Sequence, residues 1–252
     1  MFPIRDHNPS GRTPIVTRAL IVVNVLVFLS YWYGYGTEED IGLFFMNWGL
    51  VPARISFGEG YATFLTSMFL HGGWMHLLGN MLFLHIFGDN LEDEMGHGRF
   101  LGFYLLSGLA AAGLQYGADP QSMVPMVGAS GAIAGVMGGY LLLFPKAKVD
   151  VLFIIVILIR IIPIPAFIML GLWFGMQLLG GFSTPTDGGG VAYWAHAGGF
   201  VAGLVLAVPL WQRLGGAAFW QRTAGAPPHP EAAYTLTRTH IPRVPRRRGP
   251  WS

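Results

Sequence analysis

The sequence contains no cysteine, which excludes disulfides, thiol catalysis and cysteine-bound metal. Charge is also scarce: Lys, Arg, Asp and Glu make up 11% of 252 residues, where a soluble domain averages about a quarter. No internal repeat is visible, and no small-residue cleavage site follows the first apolar run, so no removable signal peptide is read. What is abundant is apolar: 53% of residues are hydrophobic, in recurring long runs, and a spanning helix needs ~20 such residues. The 36 glycines suit close helix packing in lipid. The chain reads as an all-α, polytopic membrane protein.

Apolar runs cover about Ile15 to Tyr33, Tyr61 to just before Asp89, Phe100 to Tyr116, Val124 to Phe144 and Val191 to Trp211. Between the last two, Val149 to Phe182 is too long for one straight span and too short for two. Pro163 and Pro165 break it, which leaves the fifth span from Pro165 to Leu179. Val149 to Ile162 then reads as an interfacial, re-entrant or helix-extending piece; its Val/Ile richness also suits a strand packed on protein. Six spans result, with five or seven as alternatives.

Lys and Arg mark the cytoplasmic side. With six spans, 13 of 15 basic residues fall on the side of both termini; Arg54 lies outside and Arg160 in the ambiguous run. The acidic cluster Glu92, Asp93 and Glu94 also falls inside, though acidic residues weigh little in that rule. Residues 1–14 are expected as a cytoplasmic segment and 15–211 as the membrane domain. Residues 212–252 are expected as a Pro/Arg-rich, disordered cytoplasmic tail. Its Arg246-Arg247-Arg248 run either meets anionic headgroups or is simply solvated. A multi-pass protein of a cell membrane follows, and the short compact form fits a bacterial plasma membrane.

Ionisable groups inside spans are costly and point to function. The second span carries His71, His76, Asn80 and His85, the fourth Ser130, and the sixth His196. These three spans run in the same direction, which sets Ser130 and His196 at similar depth in the outer half of the membrane. His71 and His76 lie deeper if their helix starts near Tyr61, and rise to match if it starts nearer Phe69. Ser130 sits in Gly128-Ala129-Ser130-Gly131, at a helix start where free N–H groups can stabilise an oxyanion. A serine needs an adjacent base, and no Asp or Glu lies at this depth. His196, followed by Gly199 and Gly203, faces the small faces of the fourth span (Ala134 and Gly138; Gly131, Gly135 and Gly139) and can come within ~3 Å of Ser130. Bland readings stand beside this one. A membrane serine often bonds its own backbone, glycine faces often only pack, and a lone histidine can be an interface hydrogen bond. A metal on His71, His76 and His196 is a rival that lacks HExxH or any carboxylate. A transporter would carry polar groups through the full depth, whereas here they cluster in the outer half. His85, on another face, reads as packing or inner-side.

These residues resemble the rhomboid family of intramembrane serine proteases. The matching pieces are His71-Gly72-Gly73-Trp74-Met75-His76-Leu77-Leu78-Gly79-Asn80, Gly128-Ala129-Ser130-Gly131, and Ala195-His196-Ala197-Gly198-Gly199 with Gly203. The resemblance implies a six-transmembrane-helix bundle over 15–211 that cuts transmembrane segments of other membrane proteins near their outer ends. It implies Ser130 as nucleophile and His196 as general base and then acid. The Ser130 backbone, His76 and Asn80 would form the oxyanion hole, with His71 in support and Gly128 keeping the preceding loop open. It implies no cofactor, no metal and no nucleic-acid partner; the lipid bilayer and transmembrane substrates are the partners. Two departures stand out. Some members carry an aromatic residue where Ala134 stands, stacked on the histidine, and some carry Trp-Arg where Trp48-Gly49 stands, with Arg54 the nearest base. Positioning of His196 and anchoring of the first loop must come from elsewhere. The runner-up is a non-catalytic relative that binds membrane clients, but such relatives are expected to lack the serine or the histidine.

Overall fold

Without water to satisfy N–H and C=O groups, an apolar chain closes its hydrogen bonds within helices. The structure, a computed structural model, describes residues 2–8, 10–155, 158–184 and 191–228. Its elements, in order, are β1 (Phe2–Asp6), α1 (Ile15–Trp32), α2 (Glu38–Trp48), α3 (Pro52–Ser56), α4 (Thr63–Thr66), a 3-10 turn (Ser67–Phe69), α5 (Trp74–Met95), α6 (His97–Ala118), α7 (Ser130–Leu143), β2 (Lys148–Ile155), β3 (Leu158–Pro165), α8 (Ala166–Ser183), α9 (Tyr193–Leu214) and α10 (Ala217–Thr223). By length and composition α1, α8 and α9 can each cross a membrane. The 14-residue α7 is apolar and almost wholly buried, as a helix without a polar face must be. It is the centre of the bundle.

The packing around α7 is set by missing side chains. A Cβ on Gly199 of α9 would overlap the carbonyl oxygen of Gly131, and one on Gly203 that of Gly135. A Cβ on Gly138 would overlap the carbonyl oxygen of Phe200. On the other flank, a Cβ on Gly131 would come to 2.6 Å from Ala111 of α6. Backbone meets backbone along α7 and α9, which small residues permit in membrane helices.

The helices begin later than the apolar runs suggest. The second span, read from Tyr61, is broken into α4, the 3-10 turn and a loop through Gly72 and Gly73; α5 starts at Trp74. Tyr31 of α1 fixes that loop: its hydroxyl donates to the His71 carbonyl at 2.7 Å and accepts from the His71 N–H at 2.8 Å. The fourth span, read from Val124, becomes helix only at Ser130, after Gly128 at φ 133°.

The helical reading also needs an addition. Of the stretch from Val149 to Ile162, residues 149–155 and 158–162 form no helix extension but lie in strands β2 and β3, the alternative that their Val/Ile richness offered. β2 pairs antiparallel with β3, Lys148 opposite Pro165, and β1 adds to its other edge, Phe2 opposite Leu152. Pro163 and Pro165 stand on the edge strand β3, where a missing N–H need not break the ladder. So the N-terminal segment, expected as a simple cytoplasmic stretch, is part of a sheet. Arg5 and His7 both reach Asp150 at 2.7 Å. Burial raises the Asp150 carboxyl, but the bonds from His7 and Arg5 outweigh it and hold the group below 3.8. Nearby, Glu92 of α5 takes hydrogen bonds from the Val16 and Thr17 N–H groups, both at 2.8 Å, and caps α1 from outside because Pro14 offers no capping side chain. Past α9, α10 buries Phe219 and sends the Trp220 indole N–H to the Leu142 carbonyl at 2.9 Å. The first part of the expected disordered tail is therefore ordered; residues 229–252, with Arg246-Arg247-Arg248, lie outside the described residues.

The C-terminal end of α7 meets β1 at Asp6, whose Oδ2 accepts from the Tyr140 hydroxyl at 3.1 Å and the Asn90 amide at 2.6 Å. Burial, with the Asp89 carboxylate beside it, pushes the Asp6 carboxyl up from 3.8 to about 8. A raised carboxyl favours the protonated folded state, so its contribution is full below pH 3.8 and is lost as pH rises to about 8. The melting temperature in detergent is expected to fall from pH 5 to pH 8, and to fall less in Asp6→Asn; equal slopes would contradict this. Gly203→Ala is expected to cost about 1–3 kcal/mol, the usual penalty for overpacking, and is checked by the shift in melting temperature.

Candidate active site

Three helix starts converge at one end of the bundle. α7 starts at Ser130, α9 at Tyr193 and α5 at Trp74, so Ser130, His196 and His76 all fall in or near first turns. The glycine contacts between α7 and α9 bring the first two together: Ser130 Oγ lies 2.8 Å from His196 Nε2. At that distance the imidazole can take the hydroxyl proton.

The turn before Ser130 is fixed on both sides. Leu50 and Met126 exchange backbone hydrogen bonds of 3.0 and 2.8 Å, and the Gly128 N–H donates to the Ser67 carbonyl at 2.9 Å. At φ 133° Gly128 occupies a conformation that L side chains avoid. A Cβ there would also come to 2.8 Å from His76 Nε2. His76 Nδ1 accepts from the Gly72 N–H at 3.3 Å, so the ring hydrogen belongs on Nε2, the edge facing the Gly128 turn. Asn80, one turn further along α5, is buried, and its side-chain Nδ2 donates to no group among the described residues. Buried donors without a partner are costly, and such a group is available to a developing negative charge. The first N–H groups of α7 have no intrahelical acceptor either.

His76, Asn80, Ser130 and His196 line one cavity of about 220 Å³, walled by apolar groups that include Phe83, Ile133, Met137 and Trp173. His71 is not on its wall. It is fully buried behind His76, the two rings edge-to-face with centroids 5.1 Å apart, and its backbone is what Tyr31 holds. The three histidines thus do not gather on one point, and the described residues hold no cluster of three or more His, Cys, Asp or Glu suited to a metal. His85 is exposed, away from the cavity. Arg54 donates to the Met46 carbonyl and so caps the end of α2, which anchors the first loop where Trp48 is followed by glycine.

The fold, the paired Ser130 and His196, and the donor-rich turn invite comparison with known proteins. The profile of the Rhomboid domain matches residues 58–213. The chain belongs to the rhomboid family. It is 32% identical over 201 residues to Rhomboid-related protein 1 of Caenorhabditis elegans, covering 76% of this chain and 54% of the relative. Rhomboid protein 1, mitochondrial, of Saccharomyces cerevisiae matches at 32% over 148 residues, 55% of this chain and 39% of the relative. Rhomboid-related protein 2 of Mus musculus matches at 34% over 145 residues, 56% and 45%. The chain spans about half or less of the length of these curated relatives. Their range, which includes a mitochondrial protein, gives no support to a bacterial plasma membrane over other membranes. Rhomboids are in general intramembrane serine proteases.

Two residues at the site escape a search for ionisable groups in spans. Gln177 of α8 places Oε1 2.8 Å from His196 Nδ1, and the Trp173 ring lies 5.7 Å from the imidazole at 34°. Both approach His196 from α8. The available signal is that Gln177 is the one amide or charged side chain between Ala166 and Leu179.

Gly128→Ala is expected to leave this rhomboid folded and to abolish reaction of Ser130 with a serine phosphonate, because the methyl group displaces His76. Thermal melting and labelling, run together, check both halves.

Proposed function

We propose that this rhomboid is an intramembrane serine endopeptidase that cuts transmembrane segments near their outer ends through a Ser130–His196 dyad. The observation that carries the reading is the 2.8 Å contact between Ser130 Oγ and His196 Nε2 inside an apolar bundle. Ser130 Oγ attacks the scissile carbonyl carbon while His196 Nε2 takes the hydroxyl proton. The carbonyl oxygen gains the negative charge and is met by the Ser130 N–H, His76 Nε2–H and Asn80 Nδ2. Collapse breaks the C–N bond, and His196 returns the proton to the leaving amine. Water, deprotonated by His196, then releases the acyl group from Ser130. Apart from substrate and water, every group in this cycle belongs to the chain, and no cofactor enters it. Glycine at 128 leaves room for the substrate carbonyl, and His71 supports His76 from behind.

In this reading α1, α5, α6, α7, α8 and α9 are the six spans of a domain over 15–211, and both termini lie in the cytoplasm. The distribution of basic residues supports that orientation, since Arg5, Arg12, Arg18, Arg99, Lys146 and Lys148 share the end opposite the dyad. Water then reaches the cavity from the outer side. A helical segment shields its own amides, so a substrate must unwind locally, and small residues at the cut ease that.

Co-expression with a single-span reporter carrying Gly and Ala near its outer end tests the reading. Wild type is expected to release a shortened product. Ser130→Ala and His196→Ala, expressed to the same level, are each expected to lose cleavage by about 10³-fold or more. Cleavage that survives both substitutions would overturn it.

A further inference from the structure

A neutral imidazole has one donor and one acceptor nitrogen, and only one tautomer lets His196 act on Ser130. Nε2 must be bare to accept the Ser130 hydrogen, so Nδ1 must carry the ring hydrogen and needs an acceptor. Among the described residues no carboxylate supplies one. The group at Nδ1 is Gln177 Oε1, at 2.8 Å. An amide is ambiguous, because its nitrogen and oxygen can exchange places. Here the exchange is blocked: Gln177 Nε2 donates to the Trp173 carbonyl at 3.1 Å, and a reversed amide would set oxygen against oxygen. The result is one directed chain. Gln177 Nε2–H points to Trp173 O, His196 Nδ1–H to Gln177 Oε1, and Ser130 Oγ–H to His196 Nε2.

We propose that Gln177 is the positioning residue of the dyad, its amide oxygen holding His196 in the Nδ1–H tautomer with Nε2 turned to Ser130. This rests on the protease reading above. Gln177 is 7% exposed, so water does not replace its bond to the histidine. A neutral amide orients the ring without placing a second charge inside an apolar bundle, where charge is costly. The methyl group of Ala134 offers the imidazole no ring to stack on, and the ring's flanking contact comes instead from Trp173, one turn before Gln177. Both restraints on His196 therefore stand on α8, whose outward face carries exposed Leu172, Met176 and Leu179. The dyad is set only while α8 lies against α9.

The test reads the tautomer directly. Protein with ¹⁵N-labelled histidine, purified in detergent, is examined by NMR at pH 8, with His196 assigned by its loss in His196→Ala. Wild type is expected to show Nδ1 protonated and Nε2 bare. Gln177→Leu keeps the size and removes the acceptor; it is expected to shift His196 toward a mixture of tautomers. The rate of serine phosphonate labelling is expected to fall about 10²-fold in the same variant, on the scale of a misplaced general base. Gln177→Glu keeps an acceptor and favours the imidazolium, so labelling persists but its acid limit moves up by about one pH unit. If Gln177→Leu does not fold, the profile of Gln177→Glu decides alone, and an unmoved acid limit overturns the proposal. Unchanged tautomer and rate in a folded Gln177→Leu overturn it equally. If wild type never labels while the tautomer still responds to Gln177→Leu, the positioning role stands and the protease reading falls.

Discussion

Backbone contact between α7 and α9 is the constraint on which the rest depends. Gly199 and Gly203 lie against the carbonyl oxygens of Gly131 and Gly135, and Gly138 lies against that of Phe200. No larger residue fits at these points without moving a helix. Since Ser130 is one residue from Gly131 and His196 three from Gly199, the same contacts fix the 2.8 Å approach of hydroxyl and imidazole. Packing and chemistry are here one requirement. A side chain that separated the helices by a methyl group would act on the dyad as well as on stability.

The two ends of the bundle answer different demands. At the dyad end, helices begin late and leave donors free: α5 waits for Trp74 and α7 for Ser130, so first-turn N–H groups and the side chains of His76 and Asn80 face a cavity. At the other end the acids are matched to polar partners. Glu92 caps α1, Asp150 ties β1 to β2 through Arg5 and His7, and Asp6 joins β1 to Asn90 and Tyr140. Unpaired buried donors are tolerated where a ligand is to complete them, and paired acids serve where the structure must only hold.

Much of this was legible in the sequence, for physical reasons. Ser130 and His196 could be matched because glycine spacing reports helix contact and span direction reports depth. His76 and Asn80 share a face by helical period, and both line the cavity. His71, read as a supporting residue, lies on the loop before α5 and behind His76, and its backbone anchors that loop to Tyr31. Read from Tyr61, hydropathy placed the start of the second helix more than three turns too early, since it sees apolar residues and not the breaks at Gly72 and Gly73. It also could not choose between a helix extension and a strand for Val149 to Ile162, because the partner strand β1 lies far away in sequence. Gln177 escaped because it is neutral, and its meaning depends on a carbonyl at Trp173 and a ring at His196 that only the fold brings together.

The most direct measurement is the site of modification by a serine phosphonate, read by mass spectrometry of the purified protein in detergent. An adduct is expected on the peptide bearing Ser130, absent from His196→Ala although Ser130 is intact in that variant. An unmodified Ser130 in wild type, or equal modification with and without the His196 imidazole, would contradict the dyad and with it the account.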